Sequence, residues 1–161
     1  MDSPPRVTPR RALVLAAAVA CLTSCGDGES EDSRPDRTSA PSPQEIVIET
    51  RIAGFDGEVL AGSVLGGAAF CPGGTLHHEH GSHEIGFPAV NVFTCPAGTL
   101  SIGFGPGPGQ MDQSVQTSSW RVLEGSGDFA GATGEGTMRV EFEEGADLRG
   151  RETFTGVVAV R

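Results

Sequence analysis

The chain has 161 residues, and 11 Arg against 21 Asp and Glu leave a net charge of −10. One ordinary domain fits that length and two hardly do. So acidic a chain lacks the positive footprint that grips a nucleic-acid backbone, which excludes nucleic acid as a partner.

The chain begins with an address. Arg6, Arg10 and Arg11 form a positive n-region, and residues 12–22 are an uninterrupted apolar run. A bilayer-spanning helix needs roughly 20 apolar residues, so this run is an export signal and not a permanent anchor. Leu22-Thr23-Ser24-Cys25 follows at its end. That tetrad resembles the lipobox of bacterial lipoproteins: an aliphatic residue, two small residues and the cysteine that is lipidated. The resemblance implies a signal peptide over 1–24, a diacylated Cys25 and display on the extracytoplasmic face of the cell membrane. Two acyl chains give the double signal that stable anchoring needs. The alternative is ordinary secretion after Ala18-Val19-Ala20, which would keep Cys21 and Cys25 in the mature chain. Arg10-Arg11 leaves the general and the twin-arginine export routes both open.

Residues 25–44 carry the lipid site and then a tether. From 26 to 44 there is no Leu, Ile, Val, Phe or Trp, only polar residues, Gly, Pro and one Ala. Such a segment cannot bury enough apolar surface to offset its ordering entropy, so a disordered, semi-extended spacer is expected.

Residues 45–161 form the domain. They hold nearly all of the 24 glycines, a density that disfavours long helices, since each Gly costs about 1 kcal/mol relative to Ala in a helix interior. Alternation points instead to strands. Ile46, Ile48 and Ile52 share one face, with Glu49 and Arg51 on the other. Leu100, Ile102 and Phe104 repeat the period, as do Met138, Val140 and Phe142, and Phe154, Val158 and Val160. Further strands are expected over 57–65, 89–94, 114–123 and 128–132, with Gly/Pro turns between most of them, notably over 103–109. About eight strands and no 3.6-residue period give an all-β class: a small antiparallel barrel, or alternatively a β-sandwich. The last strand runs to the terminal Arg161, where a closed barrel would pair an edge that an open sheet would expose.

With Cys21 removed and Cys25 lipidated, Cys71 and Cys95 remain. Both open the same phrase, Cys-Pro-x-Gly-Thr-Leu, and outside the cytoplasm they are expected to form one disulfide. A closed four-cysteine zinc site is excluded, because each turn brings only one cysteine.

All four histidines fall in one run, His77, His78, His80 and His83, interleaved with Glu79 and Glu84. His78 and His80 would share a strand face, and a turn at Gly81-Ser82 would return His83 toward them. That set suits Zn or Cu. The competing reading is a solvated loop, for which no cofactor is needed. Four imidazoles would also titrate near pH 6.5. Elsewhere no catalytic constellation stands out. Gly125-Ser126-Gly127-Asp128-Phe129-Ala130 matches a dinucleotide fingerprint in letters only, since no helix follows it. No Gly-x-Ser-x-Gly elbow occurs, and Glu141, Glu143 and Glu144 read as a solvated face.

Trp120, Gly125, Gly127, Phe129, Gly134 and Gly136, followed by Phe154 and Gly156, have a recognisable cadence. It resembles the C-terminal hairpins of allene oxide cyclase-like and dirigent-like β-barrels, and small exported proteins of high-GC Gram-positive bacteria. The resemblance covers about 40 residues and implies an eight-stranded barrel with Gly at the corners and aromatics in the core. It carries over no active-site residue, and fold does not imply function. The expected role is a lipid-anchored binding or structural module for a small apolar ligand or a protein partner. The alternatives are a cyclase- or isomerase-like enzyme working at the barrel mouth and a metal-binding surface protein using the histidine run. A convergence of polar, titratable side chains inside the barrel would favour the enzyme; a filled apolar interior would favour the module.

Overall fold

The computed structural model describes residues 41–106, 114–145 and 148–161. They belong to the second of two units, Thr38–Arg161. The expected signal peptide, Cys21, Cys25 and most of the tether lie outside the described residues, as does the 107–109 part of the glycine-rich turn.

Ten strands occur among the described residues: β1 (Gln44–Ala53), β2 (Asp56–Val59), β3 (Val64–Leu65), β4 (Ala68–Ala69), β5 (Thr75–Ser82), β6 (Phe87–Cys95), β7 (Gly98–Pro106), β8 (Val115–Gly125), β9 (Thr133–Phe142) and β10 (Arg149–Ala159). All pairings are antiparallel. Eight strands close into a barrel in the order β1-β2-β5-β6-β7-β8-β9-β10, and β10 pairs back onto β1 from Gln44↔Val158 to Ala53↔Arg149. The short β3–β4 hairpin lies outside that ring, against the N-terminal half of β1. The barrel reading therefore holds, and the sandwich is set aside.

Two expected strands differ. The 57–65 segment is split into β2 and β3, with a turn at Ala61-Gly62. The 128–132 segment is not a strand but a single 3-10 turn, Gly127–Phe129, because Gly127 (φ 58°) and Gly131 (φ 70°) bend the backbone out of the extended region on both sides of it. Phe129 is thereby tucked in and buried. The histidine run is not a loop: His77, His78 and His80 lie in β5, paired with β2 on one side and β6 on the other, with His78 and His80 on one face as expected. Gly81 and Ser82 still belong to the strand, and the turn expected there falls at 83–86, with His83 in it.

One end of the barrel is closed. Phe70 and Phe129 plug it, with ring centroids 5.7 Å apart, and Phe70 meets Phe93 at 5.9 Å. Ile46, Leu76, Leu100 and Val158 fill the layer around them. The Cys71–Cys95 disulfide ties this end, joining the approach to β5 to the end of β6 across a separation of 24 residues. Trp120 spans the middle. Its indole lies over Gly136 and Gly156, where a Cβ would come within 2.7 Å of the ring, and its Nε1 donates to the Thr137 carbonyl at 3.0 Å. Of the expected core residues, Trp120, Phe129 and Phe154 are buried in one cluster.

Candidate functional site at the open end of the barrel

The other end opens into a cavity of about 1090 Å³. Its floor follows from side-chain parity. Thr50 continues the inward face of Ile46 and Ile48, Asn91 shares the face of Phe93, and Glu152 shares the face of Phe154. These three polar residues therefore point into the barrel. All are buried, with Glu152 2% exposed and Asn91 and Thr50 0%.

They meet. Thr50 Oγ1 donates to Glu152 Oε2 at 2.9 Å, across the β1–β10 register pair. Asn91 Nδ2 reaches both Glu152 oxygens, at 3.3 and 3.2 Å. β6 and β10 stand four strands apart in either direction around the eight-strand ring, so this bond crosses the diameter of the barrel. One layer toward the closed end, Phe93 and Phe154 make the same crossing edge-on at 5.5 Å. One layer toward the opening, the same two strands present Ala89 and Gly150, which are too small to meet. The cavity begins there.

Its walls are mainly apolar: Ile52, Phe55, Phe104, Met138, Val140 and Phe142 among others, with Glu143 and Glu144 also lining it. Phe55 and Leu148 also line it and remain 48% and 50% exposed. His78 enters from β5, opposite Asn91 in register, with its ring edge-on to Phe104 at 5.3 Å.

The electrostatics follow from burial. Desolvation pushes the Glu152 carboxyl up from 4.5 to about 7, against the opposing pull of the Thr50 and Asn91 hydrogen bonds. Burial likewise lowers the pKa of His78, partly offset by the Asn91 side chain, while His80 and His77 add small repulsions. The Asn91 Oδ1 atom, buried beside these groups, makes no well-formed hydrogen bond, although the Asn91 side chain interacts with the His78 ring. No ion pair to Glu152 occurs among the described residues.

The residues singled out in the sequence are placed as follows. His78 lines the cavity; His77 leaves the barrel and bonds Asp56 Oδ1 at 2.8 Å; His80 is exposed beside Phe55; His83 is exposed at the end of β5. Among the described residues no three His, Cys, Asp or Glu side chains gather into a group that could hold a metal ion. Glu141 is exposed and paired with Arg139. Thr50, Asn91 and Glu152 were missed by motif reasoning. Their only signal was a polar residue at an inward position of an alternating strand.

No protein-family model, curated protein or solved structure gives a significant match to the chain.

Proposed function

We propose that this protein is a lipid-anchored barrel that binds a small, largely apolar molecule in its open end, with Glu152 as the polar group that orients it. The anchor rests on the lipobox-like tetrad ending at Cys25 and on the tether behind it. The ligand site rests on one observation: the Asn91–Glu152 bridge across the barrel, beneath an open cavity with apolar walls. Small-molecule sites have this make-up, mostly apolar walls with a few placed polar groups. An eight-stranded barrel is wide enough for one such ligand.

The test fills the cavity. Ala89 lines it at the level above Asn91. Ala89→Leu should abolish binding of an apolar fluorescent probe while leaving the unfolding midpoint within a few degrees of wild type. Native mass spectrometry of the full chain from cells should show a bound small molecule that the variant lacks. Equal probe binding by both proteins would overturn the reading.

A second reading has its own support. Glu152 and His78 both line the cavity, and burial raises the pKa of the first to about 7 and lowers that of the second. A carboxyl near 7 and a neutral imidazole are the equipment of proton transfer without a cofactor, as a cyclase- or isomerase-like enzyme would need. Solvent deuterium entering carbon positions of the bound molecule, and failing to do so in Glu152→Gln, would establish it. No exchange in wild type would dismiss it.

A further inference from the structure

We propose that the molecule held in the open end of the barrel is a lipophilic amine, bound as its cation against the Glu152 carboxylate. The inference rests on the ligand-site reading above and narrows it to one charge type.

Three observations carry it. The floor of the cavity holds a carboxyl with no cationic partner among the described residues. Glu152 accepts from Thr50 and Asn91, both neutral, and forms no ion pair among the described residues. With no cation beside it, burial holds this carboxyl toward its protonated form, and a cation brought to it would favour the ionised one. A ligand ammonium is the partner that the chain itself does not supply. The second observation is the sign of everything else that lines the cavity. Glu143 and Glu144 line it with Glu152, and no Arg of the domain does. Among the described residues His78 is the one basic group there, and burial favours its neutral form. A carboxylate or phosphate would meet three acids and no cation. The third is the set of rings. Phe55, Phe104 and Phe142 line the same space, and aromatic faces attract ammonium groups.

Asn91 Oδ1 is one more acceptor at the floor, beside the His78 ring. An ammonium brings only donors, whereas a carboxylate would add acceptors to a region already rich in them.

The groups that face Glu152 are few. β1 contributes Thr50, β9 contributes Val140 and β6 contributes Asn91, none of which titrates near neutrality. β5 contributes His78 to the cavity, and Glu143 and Glu144 line it as well. An ammonium arriving at Glu152 would favour its ionised form, so binding near pH 6.5 should release a proton.

The test uses three probes with one apolar body: phenylbutylamine, phenylbutanol and phenylbutanoate. They are titrated calorimetrically into the full-length chain, near pH 6.5 and near pH 8. The amine should bind at least tenfold tighter than the alcohol, and the carboxylate weakest. Measured at pH 6.5 in buffers of differing ionisation enthalpy, amine binding should show proton release. Glu152→Gln should erase the preference for the amine while keeping the alcohol. Glu143→Gln with Glu144→Gln should leave most of the preference in place, which separates a contact at the floor from general surface charge. Alcohol binding as tight as amine, or an amine preference that survives Glu152→Gln, overturns the inference and leaves the ligand site standing. If none of the three binds, the ligand-site reading falls with it.

Discussion

Asn91 and Glu152 touch across the full diameter of the barrel, and their hydrogen bonds mark the level at which the packed interior stops and the cavity starts. One layer deeper the same two strands pack Phe93 against Phe154. One layer outward they carry Ala89 and Gly150. The cavity is thus a consequence of side-chain size along two facing strands. It needs no distortion of the sheet.

The first expectation concerns pH. The folded protein holds the Glu152 proton more tightly than the unfolded chain, because burial raises its pKa from 4.5 to about 7. This group's contribution to stability is full below the unfolded value. It is lost as pH rises through the window from 4.5 to about 7, and the loss amounts to about 3 kcal/mol. Denaturant titrations across that window should show the decline, and Glu152→Gln should flatten it. Asn91→Leu withdraws hydrogen bonds that favour the carboxylate, so it should raise the Glu152 midpoint further. The infrared stretch of the protonated carboxyl reads that shift directly.

The disulfide closes a loop of 24 residues at the plugged end. The chain-entropy estimate for such a loop is about 3 kcal/mol. Cys71→Ser with Cys95→Ser should lower the unfolding free energy by about that amount, as should reduction of the wild type. Binding at the open end should change little, since the disulfide sits at the opposite end of β6.

Gly156 and Gly136 accept the Trp120 indole between β9 and β10. A methyl at Gly156 would meet the ring at 2.7 Å as well as the Glu135 carbonyl. Gly156→Ala should therefore cost about 1–3 kcal/mol through overpacking. Trp120→Phe should recover part of that cost, giving a measurable coupling in a double-mutant cycle on thermal unfolding. Full additivity would mean that the backbone contact carries the whole penalty.

Cys25→Ala should move the protein from the membrane fraction to the soluble fraction. Intact-mass measurement of the wild type should show a chain starting at Cys25 and carrying acyl groups. An unmodified chain starting at Cys21 would replace the anchor with ordinary secretion.

Several elements could be read from the sequence because one physical rule dominated them. β1 and β9 alternate cleanly, and their buried faces are Ile46, Ile48, Met138 and Val140, as expected. The repeated Cys-Pro-x-Gly-Thr-Leu phrase marked two turns, and each feeds a strand, β5 or β7, that buries its Leu. For β5 the sequence leaves strand and loop both open, because between Leu76 and Ser82 it has no apolar residue to show a period. Pairing on both sides makes it a strand. Glu152, Asn91 and Thr50 were hidden for a different reason. Hydrophobic periodicity registers a polar residue at an inward position as noise, yet those positions are where this barrel places its chemistry.

The ring is sealed by its first and last strands. Thr50 and Glu152, joined at that seam, are 102 residues apart in the chain. Closure must therefore wait until β10 exists, however early the hairpins between form. Contacts so distant in sequence make folding slow, since the loop entropy is spent before the pairing returns anything. A chain halted before residue 149 would leave β1 and β9 as bare edges, each a template for another chain. The same seam that completes the floor of the cavity thus sets the order of events: the site cannot exist before the molecule is whole.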